Sequence, residues 1–264
     1  MRKTVETSQN EVISRLGELK LRHVAQALEG DLATMADVER SILLKYLGKW
    51  LESEKSERRT QLIAARIRTA KFRKLQTVDA FNFKHSAVTE RIEKSYLALY
   101  QSISKENLPS AVFSGNAGLG KTHLARALGY GACQNGLSVL FSTAAEMVNQ
   151  LAHAQKTFNL EQELNKFRRP QVLIIDELGY VSLDTQASNL FFQVISARHD
   201  AELGTIATTN MPFGKFNQIF ANDAIAHAIV DRLVNDAEVF YMEGSDSYRP
   251  HQRKEMLKRK KQKG

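Results

Sequence analysis

This chain of 264 residues reads as an α/β protein, a three-layer sandwich on a parallel sheet, preceded by a small all-helical domain. Three observations carry that reading. Short apolar runs alternate with helical periodicities from about residue 86 to residue 241, the pattern of right-handed crossovers between parallel strands. The runs do not alternate polar with apolar, as expected of strands covered on both faces. Residues 10–75, in contrast, show helical spacing only.

Residues 10–28 place Val12, Ile13, Leu16, Leu19, Val24, Ala27 and Leu28 on one helix, with Gly30 as its stop. A second helix starts at Asp37, with Val38, Ile42, Leu43, Leu47, Trp50 and Leu51 as its apolar face. It continues, with a break near 57–59, into 61–75. There Leu62, Ile63, Ile67 and Leu75 face inward, and Arg58, Arg59, Arg66, Arg68, Lys71, Arg73 and Lys74 face outward. Residues 77–83 (TVDAFNF) lack a helical period and form a linker. The helical domain is therefore 1–78, the main domain 79–248, and 249–264 a basic tail. In the main domain a helix over 86–102 and the turn Asn107-Leu108-Pro109 lead into the first strand. A helix follows the loop after that strand, and the turn at Asn135-Gly136 opens the strand 138–142. Helices over 144–154 and 160–167, the strand 171–176, and a helix from the cap Asp184 to 199 come next. The strand 205–209, a short helix over 213–220, a helix over 224–234 and the strand 238–241 complete the domain.

Residues 110–122 (SAVFSGNAGLGKT) fit G-x-x-x-x-G-K-[ST], with Gly115, Gly120, Lys121 and Thr122 at the fixed places. The glycines let the chain curl so that successive N–H groups point at a phosphate on a helix N-terminus. Gly115, Asn116, Ala117, Gly118, Leu119, Gly120, Lys121, Thr122 and His123 are the expected nucleotide contacts. Lys121 reaches the β- and γ-phosphates, and the Thr122 hydroxyl ligates Mg²⁺. A plain glycine-rich turn is the competing reading, and the strand before and helix-forming run after weigh against it. The second signature is Val172-Leu173-Ile174-Ile175-Asp176-Glu177. It puts Asp176 beside Mg²⁺ and Glu177 where it can orient and deprotonate a water for attack on the γ-phosphate. A solubilising acid pair at a strand end is the bland alternative. The next strand ends Thr208-Thr209-Asn210, where Asn210, or else Thr209, can bond the attacking water; a simple turn before Met211-Pro212 competes. Arg232 can point at a neighbouring subunit's nucleotide, or pair within the chain with Asp231 or Asp236. Arg198 and Arg249 are further candidates for nucleotide or subunit contacts. A guanine-specifying N-K-x-D element is missing, since Asn165-Lys166-Phe167-Arg168 lacks the acid, so ATP is the expected nucleotide.

The net charge of +8 is unevenly spread. Residues 1–78 carry 16 Lys+Arg against 10 Asp+Glu, 249–264 carry 8 against 1, and 79–248 carry 13 against 18. Basic flanks around an acidic centre suit a polyanion held by the flanks, or simply a well-solvated surface. No run of eighteen apolar residues and no apolar signal-peptide core occur, and the one cysteine, Cys133, cannot form an internal disulfide. These features point to a cytoplasmic location, and the seven histidines show no zinc-ligand spacing.

The runs GNAGLGKTHLARALG, LIIDELGY, LFFQVISAR, TTNMPF, AIVDRL and SYRP together resemble the IstB-type transposition helper ATPases, AAA+ relatives of the DnaC helicase loaders and the DnaA initiator. The resemblance spans about 79–250 and reaches loosely into the N-terminal helices through LGELKLRHVAQALE. It implies an AAA+ domain and an ATP- and Mg²⁺-dependent ATPase that assembles on double-stranded DNA as a homo-oligomer with shared ATP sites. It also implies that the ATPase deforms that DNA and stimulates a transposase encoded by the same element. Under it, Lys121, Glu177, Asn210 and Arg232 are catalytic, and Thr122 and Asp176 hold the metal. A helical insertion over 144–169, with Lys156, Lys166, Arg168 and Arg169, touches DNA alongside Arg66, Arg68, Lys71, Arg73 and Lys74. Two departures stand out: about 23 residues follow the last strand, too few for a full C-terminal lid, and the loop reads Gly-Asn-Ala-Gly. A DnaC-like helicase loader and a non-hydrolysing nucleotide switch are the alternatives.

Overall fold

Ser8 opens the first helix, its hydroxyl accepting the Glu11 N–H at 3.3 Å, and the computed structural model describes the chain from there to Glu243. Two compact units, Met1–Ala64 and Ala65–Gly264, divide it. In the first lie α1 (Gln9–Glu18), α2 (Arg22–Thr34) and most of α3 (Asp37–Thr69). The single helix expected over 10–28 is two. Lys20 turns left-handed at φ 63°, the Leu21 N–H reaches back to the Leu16 carbonyl, and the Lys20 N–H to Gly17. That pair of bonds closes a helix end, so Gly30 lies inside α2 and stops nothing. The break expected near 57–59 does not occur either: α3 runs unbroken for 33 residues.

The core of this unit gathers Val12, Leu16, Leu19, Ala25, Leu32, Leu44 and Leu51, with Leu43 and Leu47 packed at its margin. The Lys55–Glu18 pair (2.8 Å) and an Arg15 bond to the Gly48 carbonyl fasten α1 to α3. Val38 (72% exposed), Ile42, Trp50 (59%), Leu62 and, beyond the helix, Leu75 face solvent, contrary to expectation. Apolar residues lie on more than one side of α3, and two short helices cover only the stripe through Leu44 and Leu51.

In the second unit, five parallel strands lie in the order β2-β3-β4-β1-β5. They are β1 (Ala111–Gly115), β2 (Val139–Thr143), β3 (Val172–Leu178), β4 (Gly204–Thr209) and β5 (Glu238–Met242). Successive residues feed two cores. Val112, Leu173, Ile175 and Ala207 pack on one face with α6 (Ala144–Lys156), α7 (Leu160–Arg168), α8 (Thr185–Asp200) and α9 (Asp223–Val234). Phe113, Phe141, Ile174 and Phe240 pack on the other with α4 (Ala87–Gln101) and α5 (Lys121–Gln134). This is the α/β P-loop architecture. Residues 65–78, read from sequence as part of the helical domain, fall within this unit: Ala70 is fully buried and its carbonyl accepts the Phe141 N–H at 2.8 Å. The segment thereby covers the open edge of β2, which would otherwise present unpaired backbone groups. Among the described residues no helix is long and apolar enough to cross a membrane.

Arg198 is an interior residue, which overturns its expected role at a nucleotide or subunit contact. Its side chain is fully buried on α8, where it bonds the Thr205 hydroxyl and the carbonyls of Phe167, Arg168, Pro170 and Gly204. Burial pushes its guanidinium down to about 9, which leaves it protonated at neutral pH. Arg249 and the basic tail 249–264 lie outside the described residues.

Candidate functional site

β4 lies between β1 and β3, so the turns leaving the carboxyl ends of these three strands meet at one edge. There they border a cleft of about 330 Å³. The phosphate loop leaves β1 through Gly115 (φ 144°), where a Cβ would come within 2.0 Å of the Met242 carbonyl oxygen. The Asn116 N–H donates to that same oxygen at 2.9 Å. That amide anchors the loop to β5 and is not one of those aimed at a phosphate, a correction to the expected set. Gly118 and Gly120 both adopt φ 89°, and a Cβ on Gly120 would meet the Phe81 ring at 2.4 Å. Ala117 through Thr122 line the cleft at the N-terminus of α5, where amides and helix dipole favour an anion. Lys121 Nζ donates to the carbonyls of Gly115 and Asn116, each at 2.7 Å, which holds the ammonium over the loop.

The Thr122 hydroxyl donates to Asp176 Oδ1 at 2.8 Å, joining the loop to the end of β3. Asp176 is 3% exposed, whereas Glu177, exposed, lines the cleft. Arg126, one turn along α5 from Thr122, stands 3.8 Å from Asp176 Oδ2 and 4.6 Å over the Phe141 ring, and donates to Gln76. Asn210 lines the cleft as expected. The Thr209 hydroxyl is taken by the turn, accepting the Met211 N–H at 3.0 Å, which leaves Asn210 as the polar group available at the strand tip. His123 donates through Nε2 to the Thr77 carbonyl at 2.8 Å and meets Phe81 edge-on. Burial, more than any other influence, holds its imidazole below the usual histidine range. It clamps the 77–85 segment to α5.

A model of the IstB-like ATP binding protein family matches residues 14–256. The chain belongs to that family. It is 36% identical over 220 residues to the insertion sequence IS5376 ATP-binding protein of Geobacillus stearothermophilus, covering 83% of this chain and 85% of that protein. It is 30% identical over 246 residues to the IS232 ATP-binding protein of Bacillus thuringiensis subsp. berliner, covering 93% and 96%. Its fold is similar to that of AMPPCP-bound DnaA from Aquifex aeolicus, with TM-score 0.54 and 20% identity over 69% of this chain and 55% of that one. A DnaC helicase loader matches equally, with TM-score 0.54 and 20% identity over 63% and 96%.

In this IstB-family chain Arg232 lies far from its own cleft. It borders a recess with Ser110 and Thr205, at the opposite ends of β1 and β4. Five residues of strand, about 16 Å, separate that end from the phosphate loop. Arg232 donates to the Ala228 carbonyl at 3.1 Å and stacks 5.0 Å over Phe192. Among the described residues it makes no ion pair, so the expected partners Asp231 and Asp236 do not hold it.

The expected DNA-binding cations divide in two. Lys71, Arg73 and Lys166 border one recess beside β2, and Lys166 and Arg169 border the next. Arg73 pairs with Glu146, Lys166 with Glu163, and Arg168 with Glu161, so part of this charge is already balanced. Arg66, Arg68, Lys71, Lys74, Lys156 and Arg169 make no ion pair among the described residues.

Two features of the site escaped sequence reading. Residues 77–83 read as a linker, yet Phe81 and Asn82 of that run, with Gln76 and His85 on either side of it, form a wall of the cleft. Two phenylalanines in so short an unpatterned run were the available signal. Arg126 gave none, because a cation on an exposed helix looks the same in sequence.

Proposed function

We infer that this chain is an ATP-dependent DNA-binding ATPase that assembles on DNA and stimulates or targets a transposase of its insertion sequence. The observation that carries the ATPase part is the Thr122–Asp176 hydrogen bond at the mouth of a glycine-built anion cradle, with Glu177 beside it. Two hard oxygen donors 2.8 Å apart suit Mg²⁺, whose bound form neutralises charge on the β- and γ-phosphate oxygens. Thr122 and Asp176 would hold that ion. The loop amides and Lys121 bind and orient the triphosphate. Glu177 takes the proton from the attacking water, and Asn210 aligns it. The wall of Phe81, Asn82 and Gln76 supports a base stacked beside the loop. Arg232, remote from its own cleft, serves a neighbour's nucleotide and makes the active form an oligomer. The cationic border beside β2, with Lys71 and Arg169, meets the phosphate backbone of DNA, together with Arg68 and Lys74 near Lys71 in sequence. Family membership supports the transposition setting, whereas a helicase-loader role rests on a shared fold alone.

Glu177→Gln tests the reading. Turnover is expected to fall about 10²- to 10⁴-fold, while ATP-dependent retention of duplex DNA in a gel shift persists or lengthens. Turnover and DNA retention that ignore each other's ligand would sink it.

A further inference from the structure

Asp176 and Glu177 pose a geometric problem, because successive residues of a regular strand point to opposite faces. Both acids nevertheless serve one cleft, and the pairing of β3 with β4 shows how. Ile175 pairs with Ala207, and the next partners are Leu178 and Thr209, so two residues of β3, Asp176 and Glu177, stand opposite the single Thr208. This is a β-bulge. At it Glu177 adopts φ 62°, a left-handed conformation that disfavours any residue bearing a Cβ. A bulge residue loses its ladder partner. Here the Thr208 side chain replaces it, its Oγ1 accepting the Glu177 N–H at 3.0 Å and donating to Asp176 Oδ1 at 2.6 Å. Thr208 is 2% exposed, and β1 and β3 flank its strand on either side.

We propose that Thr208 is a positioning residue for hydrolysis: one hydroxyl fixes the strained backbone that aims Glu177 and, with Thr122, sets the rotamer of Asp176. Only a hydroxyl does both, since it offers a donor and an acceptor from one atom. Valine has the shape and neither function. Serine keeps both. The inference rests on the ATPase reading above and assigns to its two acids a shared support.

Four measurements on the 264-residue chain test it: Mg²⁺-dependent ATP turnover, dissociation constants for ATP, exchange of the Glu177 amide hydrogen, and melting temperature. Thr208→Val is expected to lower kcat about 10- to 100-fold, leaving ATP affinity within about threefold because the loop amides and Lys121 are untouched. Its Glu177 amide is expected to exchange faster while that of Ile174 stays protected. Thr208→Ser should restore kcat to within about threefold of the original and restore the protection. A merely structural threonine predicts a different result, with kcat, affinity and melting temperature falling together. That outcome, or a Thr208→Val chain turning over ATP within twofold of the original, overturns the proposal and leaves the ATPase reading standing. An unsubstituted chain that binds ATP and never hydrolyses it removes both. Should the valine variant not fold, Thr208→Ala is read by the same criteria.

Discussion

His123 shows how one ring can tie two parts of the site together. Its Nε2–H bond to the Thr77 carbonyl and its edge-on contact with Phe81 join α5 to the wall of the cleft. Burial is the first cause of its lowered pKa, and Lys74 and Arg126 push in the same direction against the Thr77 carbonyl. The sign follows directly. Unfolded chains take up a proton near pH 6.5, whereas the folded ring resists it, so the unfolded state binds more protons in acid. Stability from His123 is complete above that pH and is lost as pH falls from about 6.5 toward the lower folded value. His123→Gln keeps a donor for Thr77 and does not titrate. Its denaturant midpoint is therefore expected to fall less between pH 7.5 and 5.5 than that of the unsubstituted chain. Parallel pH profiles would refute the assignment.

At the scale of elements, Arg198 is the fastening between α8, the turn that ends α7 and the starts of β3 and β4. Its cation has no carboxylate partner among the described residues, and backbone carbonyls together with the Thr205 hydroxyl solvate it. Arg198→Met strands those acceptors in a dry interior. It is expected to cost about 3 kcal/mol of stability, read as a lowered urea midpoint at unchanged slope. A loss under about 0.5 kcal/mol would mean water takes over the carbonyls. Arg198 also marks where sequence stops being legible. The five strands, the loop and the two acids announce themselves through local signals: apolar runs, fixed glycine spacing and carboxylates at a strand end. Whether an arginine on an amphipathic helix points in or out depends on what the fold brings to it from thirty residues away. The same limit explains Val38, Ile42 and Trp50, since periodicity defines a helix face without naming which face a neighbour covers. The bulge at Glu177 belongs here too, because it appears only when two strands are laid side by side. In the N-terminal unit a lysine ends α1 in a left-handed turn, a place where sequence rules look for glycine or asparagine.

For the molecule as a whole, the distance between Arg232 and its own phosphate loop is the decisive dimension. With the arginine at one end of the sheet and the cleft at the other, Arg232 can act on a nucleotide only if, as proposed above, that nucleotide belongs to a second copy. A mixing experiment follows from this. Lys121→Ala chains lack the phosphate clamp, and Arg232→Ala chains lack the donated guanidinium, whose loss is expected to cost about 10³-fold in turnover. Each variant alone should be nearly inactive, Arg232→Ala while still binding ATP. Equal mixtures should recover measurable turnover through interfaces that pair an intact cleft with an intact arginine. No recovery, with mixed assemblies verified by size, would place Arg232 outside the reaction.

One tie has an effect on timing. Asn116, at the start of the loop, is held by the carbonyl of Met242 in the last described strand. A ribosome makes the loop more than a hundred codons before it makes that anchor. The emerging polypeptide therefore carries every residue of the loop long before Met242 is there to hold its first amide.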